Sequence, residues 1–156
     1  MRTFEVRAGE VPAAAGLTPA AQVVVAFLAR VRVTGDAAEA QRVMAPRVVA
    51  HQVLAEGEQQ VVRTPQEYAG HVRDMLRAFG PFRFTVTELL GEGDHVYVRW
   101  RQEGRHVGEV DGHAPTGAPL VEVGSAVYRV ADDRIAEYWV QLDRLGLSLQ
   151  LGAGGQ

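Results

Sequence analysis

The hydrophobic period of this 156-residue chain switches once, from 3.6 before Phe82 to 2 after it. That switch divides a helical first half from a sheet-forming second half. Phe84 and Val86 alternate with Thr85 and Thr87. Beyond the turn Gly91-Glu92-Gly93-Asp94, the residues Val96, Val98 and Trp100 alternate with Tyr97, Arg99 and Arg101, so two antiparallel strands are predicted. A long connection from Gly108 to Pro119, with Gly112, Pro115 and Gly117 inside it, leads to a second hairpin. In it Leu120 to Val130 and Arg134 to Leu142 flank the turn Ala131-Asp132-Asp133.

Upstream of the switch the signals are helical. Thr18 followed by Pro19 sets a capping hydroxyl before a proline at the first helical position, and Val24, Phe27, Leu28 and Val31 recur at helical spacing up to Gly35. Asp36 with Glu39 starts a short second helix that Pro46 is expected to stop. Val48 to Leu54, with His51 and Gln52 inside it, reads as a short strand or extended edge. Thr64-Pro65-Gln66-Glu67 repeats the capping logic, and Tyr68, Val72, Met75, Leu76 and Phe79 trace one stripe before Gly80-Pro81. Residues 1–17 read as an N-terminal arm and 18–152 as one domain. Leu145 to Leu151 has room for about one helical turn, and 153–156 read as a flexible tail. Helices first and antiparallel strands second specify an α+β fold, three N-terminal helices covering one sheet face.

Composition excludes several classes. The chain is 47% hydrophobic and 22% charged, an ordinary globular balance. Its 16 basic and 19 acidic residues give a net charge of −3, which argues against nucleic-acid and membrane partners. Without cysteine there are no disulfides and no thiol catalysis. Neither a signal-peptide core nor an apolar run near the roughly 20 residues of a membrane span is evident, so a cytoplasmic location is expected.

Four segments resemble a known family: Gly104-Arg-His-Val-Gly-Glu-Val; Pro115-Thr-Gly-Ala-Pro; Val127-Tyr-Arg-Val-Ala-Asp-Asp-Arg-Ile-Ala-Glu-Tyr-Trp-Val-Gln-Leu-Asp; and Gln150-Leu-Gly. They are similar to the SnoaL-like polyketide cyclase and ester cyclase group of the nuclear-transport-factor-2-like superfamily, over about Ala21 to Gly152. The resemblance implies a cone-shaped curved antiparallel sheet packed against the helices. In the founding cyclases a general acid/base aspartate follows the position matching Trp139, with a histidine near it on the preceding strand. The matching residues here are Val140 and Ala126, so the resemblance implies the scaffold without that aldol acid/base pair.

Candidate site residues follow from chemistry and from that resemblance. Asp143, in the Trp139-x-Gln141-x-Asp143 pattern, reads either as a proton-transfer carboxylate at the rim of a cavity or as a helix cap. His51 and His106 are its candidate partners in catalysis, each with a structural alternative. His113 lies in the Gly/Pro-rich loop and is a candidate for covering a cavity mouth. Trp100, Tyr128, Tyr138 and Trp139 offer flat faces for a ligand. Parity puts Ala126 and Tyr128 on one face of their strand and Tyr138, Val140 and Leu142 on one face of theirs, and the resemblance implies that this set lines a mostly apolar cavity. Gln141 completes the substrate-binding candidates, while His71 and His95 read as surface positions. Histidine spacings resemble no metal-ligand pair, and nucleotide fingerprints are missing, so neither metal nor organic cofactor is expected.

Together these features predict a cofactor-independent cyclase or isomerase acting on a large apolar polyketide-like intermediate, by proton transfer or by shape-driven ring closure. The alternatives are a non-catalytic module that binds a hydrophobic small molecule and a structural dimerisation domain. A homodimer or higher homo-oligomer is expected, because strands such as Arg83 to Leu90 carry apolar residues on both faces.

Overall fold

A computed structural model describes residues 3–154. Thr18 accepts a hydrogen bond from the Ala21 N–H at 3.2 Å and starts α1, Pro19–Phe27. The helix runs on into a π turn, Leu28–Arg32, in which the Val33 N–H reaches back to the Leu28 carbonyl at 3.2 Å. Asp36 caps α2, Ala37–Val43. A reciprocal capping box between Thr64 and Glu67 starts α3, Pro65–Phe79, which Gly80 ends at a positive φ.

Seven strands make one sheet: β1 (Phe4–Val6), β2 (Met44–Gln52), β3 (Gln59–Arg63), β4 (Arg83–Glu92), β5 (His95–Arg105), β6 (Pro119–Ala131) and β7 (Arg134–Leu142). Their spatial order is β1-β4-β5-β6-β7-β2-β3. The result is a curved α+β cone, with α1 and α3 packed on its inner face. Val24, Phe27, Leu28, Val31 and Val72 meet Phe84, Val98 and Tyr128 there. Among the described residues, no helix is long and apolar enough to cross a membrane.

The structure corrects several expectations. The sheet is mixed, because β2 runs parallel to β7, with His51 opposite Trp139. Pro46 does not stop α2; the helix ends at Val43 and Pro46 lies within β2. The arm contains β1, an edge strand pairing Phe4 with Val86. A fourth helix, α4 (Arg144–Gly154), replaces the single turn expected after β7. It is capped by Asp143 and anchored by Leu151, which is buried with Phe79 and Leu120 in a second small core. Of the tail expected at 153–156, residues 153 and 154 close α4, and 155 and 156 lie outside the described residues.

Gln150 on α4 performs a specific task. Register with β7 ends at Gly124 opposite Leu142, which leaves the Val121 backbone without a strand on that side. The Gln150 amide substitutes for one: its Oε1 accepts from the Val121 N–H at 2.9 Å and its Nε2 donates to the Val121 carbonyl at 2.8 Å.

Candidate active site

Alternation in the sheet decides what faces the helices. On β5 the inward residues are Val98, Trp100 and Gln102, on β6 Glu122, Gly124, Ala126 and Tyr128, and on β7 Tyr138, Val140 and Leu142. Between this face and the helices lies a cavity of about 260 Å³, close to the roughly 300 Å³ lower end for ligand pockets. Its walls include Tyr68 of α3 together with Trp100, Tyr128 and Tyr138. Tyr128 lies 5.4 Å from the Phe27 ring and 6.0 Å from Tyr138, forming a packed aromatic wall. Burial pushes the Tyr68 and Tyr128 phenols well above the ordinary tyrosine range. Tyr138 is also raised by burial, although Arg63 pulls it back in part. All three stay neutral near pH 7 and can act as hydrogen-bond donors.

The cavity is mostly apolar, as expected, but its wall also carries charge. Arg32, from the π turn, is only 4% exposed and lines it opposite Glu122, 8% exposed. The guanidinium lies 4.7 Å from the Phe84 ring centroid and 5.6 Å from that of Trp100, positions suited to cation–π attraction. Its distance to Glu122 Oε2 is 3.6 Å, an ion-pair contact longer than a hydrogen bond. Next to Glu122 in register is Gln102, fully buried. Among the described residues, Arg32 Nη1, Trp100 Nε1, Glu122 Oε2 and both amide atoms of Gln102 are buried without a hydrogen-bond partner. Each such group costs about 1–3 kcal/mol. They cluster where β5 and β6 meet the Arg32 turn, at the polar end of the inner sheet face.

At the mouth, Arg63 donates a hydrogen bond to His71 Nε2. Burial, and then the Arg63 charge, hold His71 below the ordinary histidine value. A second void of about 210 Å³ shares Gln52, Arg63, Tyr138 and Val140 with the first. A larger concavity, about 680 Å³, lies beyond Phe79 and Phe82 and is rimmed by exposed Arg83, Arg105 and Val107. Among the described residues, no buried polar side chain without a hydrogen-bond partner lines it.

The sequence candidates separate into two groups. Trp100, Tyr128, Tyr138 and Val140 come together in the cavity wall. Val140 stands directly opposite Ala126 in the β6–β7 register, so the two positions matching the founding cyclases' acid/base pair face each other as apolar side chains. Asp143, His106, His113 and Gln141 lie elsewhere. Asp143 is exposed, and its Oδ1 accepts the Gly146 N–H at 2.9 Å as the cap of α4. His106 is buried beside the end of α3 and donates from Nε2 to the His113 carbonyl at 3.2 Å, closing the 106–118 loop. His113 itself is exposed on that loop, and Gln141 is exposed on the outer sheet face.

His51 faces outward from β2 and borders the smaller void. Its Nδ1 lies 2.6 Å from Glu58 and its Nε2 2.7 Å from Glu137, with the ring stacked at 4.9 Å on Trp139. An imidazolium donating on both sides satisfies this arrangement. The His51 hydrogen bond, with help from Arg129 and against the effect of burial, holds Glu137 below the ordinary carboxyl value. Among the described residues no group of three His, Asp or Glu side chains is placed to hold a metal.

Sequence reading missed Arg32, Glu122 and Gln102. Their signals were present: Arg32 stands four residues after Leu28 in an apolar helical stripe, and Glu122 shares parity with Leu120, Gly124 and Ala126. A charge on an otherwise apolar face was the available clue.

Comparison with known proteins adds the relatives. The sequence profile of the SnoaL-like polyketide cyclases matches residues 22–151. A candidate polyketide cyclase from Acidithiobacillus ferrooxidans superposes with a TM-score of 0.76 at 23% identity, over 90% of this chain and 99% of that one. IdmH, a candidate polyketide cyclase from Streptomyces antibioticus, gives 0.71 at 26%, over 85% and 98%. An LEH-like epoxide hydrolase of M. tuberculosis gives 0.60 at 18%, over 87% and 91%, a likeness of fold alone. No curated protein sequence matches significantly.

Proposed function

The chain belongs to the SnoaL-like polyketide cyclase family, and on that premise we propose that it is a cofactor-independent cyclase or isomerase acting on a polyketide-like intermediate. The observation that carries this reading is the aromatic cavity of about 260 Å³ with Arg32 and Glu122 in its wall. Its volume suits the reacting rings of a substrate, and the remainder can pass Tyr138 and Val140 into the neighbouring void. Four aromatic walls can hold a flexible chain in a near-attack conformer, which lowers the entropic cost of bringing its reactive ends together. Neutral phenols and the Arg32 guanidinium supply donors for an oxygen that gains charge during ring closure.

The test is incubation with open-chain and partly cyclised polyketide esters, followed by chromatography and mass spectrometry. A product isomeric with the substrate, or lighter by one water, formed well above the uncatalysed rate supports catalysis. The apolar pair Val140 and Ala126 favours a second reading, a module that binds a hydrophobic metabolite without converting it. Tight binding with no conversion across the series would establish that reading instead.

A further inference from the structure

The structure assigns Arg63, at the mouth of the inner cavity, as the anchor for a ligand's carboxylate, so that the site takes a free organic acid with an aromatic body in preference to its ester. The assignment names a substrate class for the cavity of the proposed function and rests on that reading. Position comes first. β3 pairs with β2 so that Arg63 lies opposite Val48 and Val61 opposite Ala50. Val48 and Ala50 are buried on the inner face, so alternation puts Arg63 on that face too. Its half-buried side chain lines both the cavity of about 260 Å³ and the smaller void of about 210 Å³. The guanidinium is therefore reached from the space that a ligand fills.

Charge narrows what that ligand is. Of the titratable residues lining the cavity, Arg32 and Glu122 lie 3.6 Å apart and balance each other, and the phenols are neutral. His71 accepts a hydrogen bond from Arg63 and is held below the ordinary histidine value, so it too is neutral near pH 7. Arg63 is then one positive charge in excess. Among the described residues no carboxylate forms an ion pair with it. The carboxylates that act on His71 from α3 are engaged elsewhere: Glu67 closes the capping box and Asp74 pairs with Arg77. A monoanion neutralises this site, whereas the double charge of a phosphate ester overshoots it.

Shape selects a carboxylate on a flat body. The guanidinium is a planar fork of five N–H donors that matches two carboxylate oxygens. His71 takes one donor and the Tyr138 phenol lies beside the fork, so donors remain for a ligand. Tyr138 lines both voids together with Arg63, and its ring is 6.0 Å from that of buried Tyr128. The ligand that fits is amphipathic: an aromatic body against Tyr128, Tyr138 and Val140, and one carboxylate at the mouth. An inward charge on an edge strand can also serve only to discourage edge-to-edge pairing. A guard of that kind would not distinguish an acid from its ester.

The experiment is calorimetric titration at about pH 8, where His71 is neutral, with naphthalene-2-carboxylate, its methyl ester and 2-naphthyl phosphate. The three share an aromatic body and differ in charge. Wild-type protein is expected to bind the carboxylate at least about tenfold more tightly than the ester, the scale of one charge-assisted hydrogen bond, and more tightly than the phosphate. Raising sodium chloride from about 0.05 M to about 0.5 M should weaken binding of the carboxylate and leave that of the ester unchanged, because the mouth is open to solvent. In Arg63→Gln the advantage of the acid should fall to within about twofold while the ester binds as it does to wild type, a split that lost packing would not produce. If the melting curve shows that this variant does not fold, the salt dependence of the wild-type protein decides. Arg105→Gln, in the furrow beyond Phe82, should keep the advantage. No binding of the carboxylate, equal binding of acid and ester, tighter binding of the phosphate or insensitivity to salt overturns the assignment. So does an advantage that survives Arg63→Gln or is lost in Arg105→Gln. Selective binding without turnover of any polyketide acid or ester would leave this site standing while removing the enzymatic reading, and turnover of acids and esters alike would do the reverse.

Discussion

At the scale of single residues, identical side-chain types take opposite roles according to the face they occupy. Arg32 and Glu122 meet inside the cone, whereas His51 and Glu137 meet on its outer face, and Asp143 ends a strand to cap a helix. The outer pair has a measurable signature. Glu137 is held below its ordinary value of 4.5 by the His51 hydrogen bond, with Arg129 adding to it. A carboxyl depressed in the folded state contributes stability that is fully present above the unfolded value and is lost as pH falls through the folded one. The melting temperature is therefore expected to drop on acidification below about pH 4.5. Glu137→Gln should lower it at neutral pH and flatten that acid limb. An acid limb unchanged in the variant would show that the His51 contact contributes nothing. Sequence made the inward parity of Tyr128, Tyr138 and Val140 legible, because alternation along a strand is local. It did not reveal the Arg32–Glu122 contact, whose partners lie 90 positions apart on different elements.

Among the elements, those with caps at both ends were the most readable. Thr64 and Gly80 delimit α3 where the stripe from Tyr68 to Phe79 does. β3 escaped notice because Gln59–Arg63 is an exposed edge strand with no apolar alternation to mark it. Its partner β2 pairs in parallel with β7, a contact that no local turn signals. The Gly104-Arg-His-Val-Gly segment shows its purpose only in three dimensions. A side chain on Gly104 would come within 2.4 Å of the Phe79 carbonyl, and one on Gly108 within 2.4 Å of the Arg77 carbonyl. The backbone N–H groups of Val107 and Gly108 donate to the Ala78 carbonyl at 3.0 and 3.2 Å. The two glycines thus let the end of α3 dock against the backbone of β5 and the loop that follows. Gly104→Ala must push that helix end away, so a loss of about 1–3 kcal/mol is expected, read as a lower midpoint in urea. An unaltered midpoint would mean that the docking is not tight.

For the whole molecule, the period switch near Phe82 was enough to announce helices on one face of a sheet. The parallel pair, the fourth helix and the Arg32–Glu122 pair in the cavity wall depend on contacts between segments remote in sequence. The chemistry proposed for this fold stands or falls on where a substrate sits. A crystal structure of the protein with a bound aromatic polyketide product analogue measures this directly. The expected result is a ligand seated in the inner cavity against Tyr68, Tyr128, Tyr138 and Trp100. Density for the ligand in the furrow beside Phe82 and Arg83, or on the outer face against His51 and Trp139, with the inner cavity holding only solvent, would contradict it.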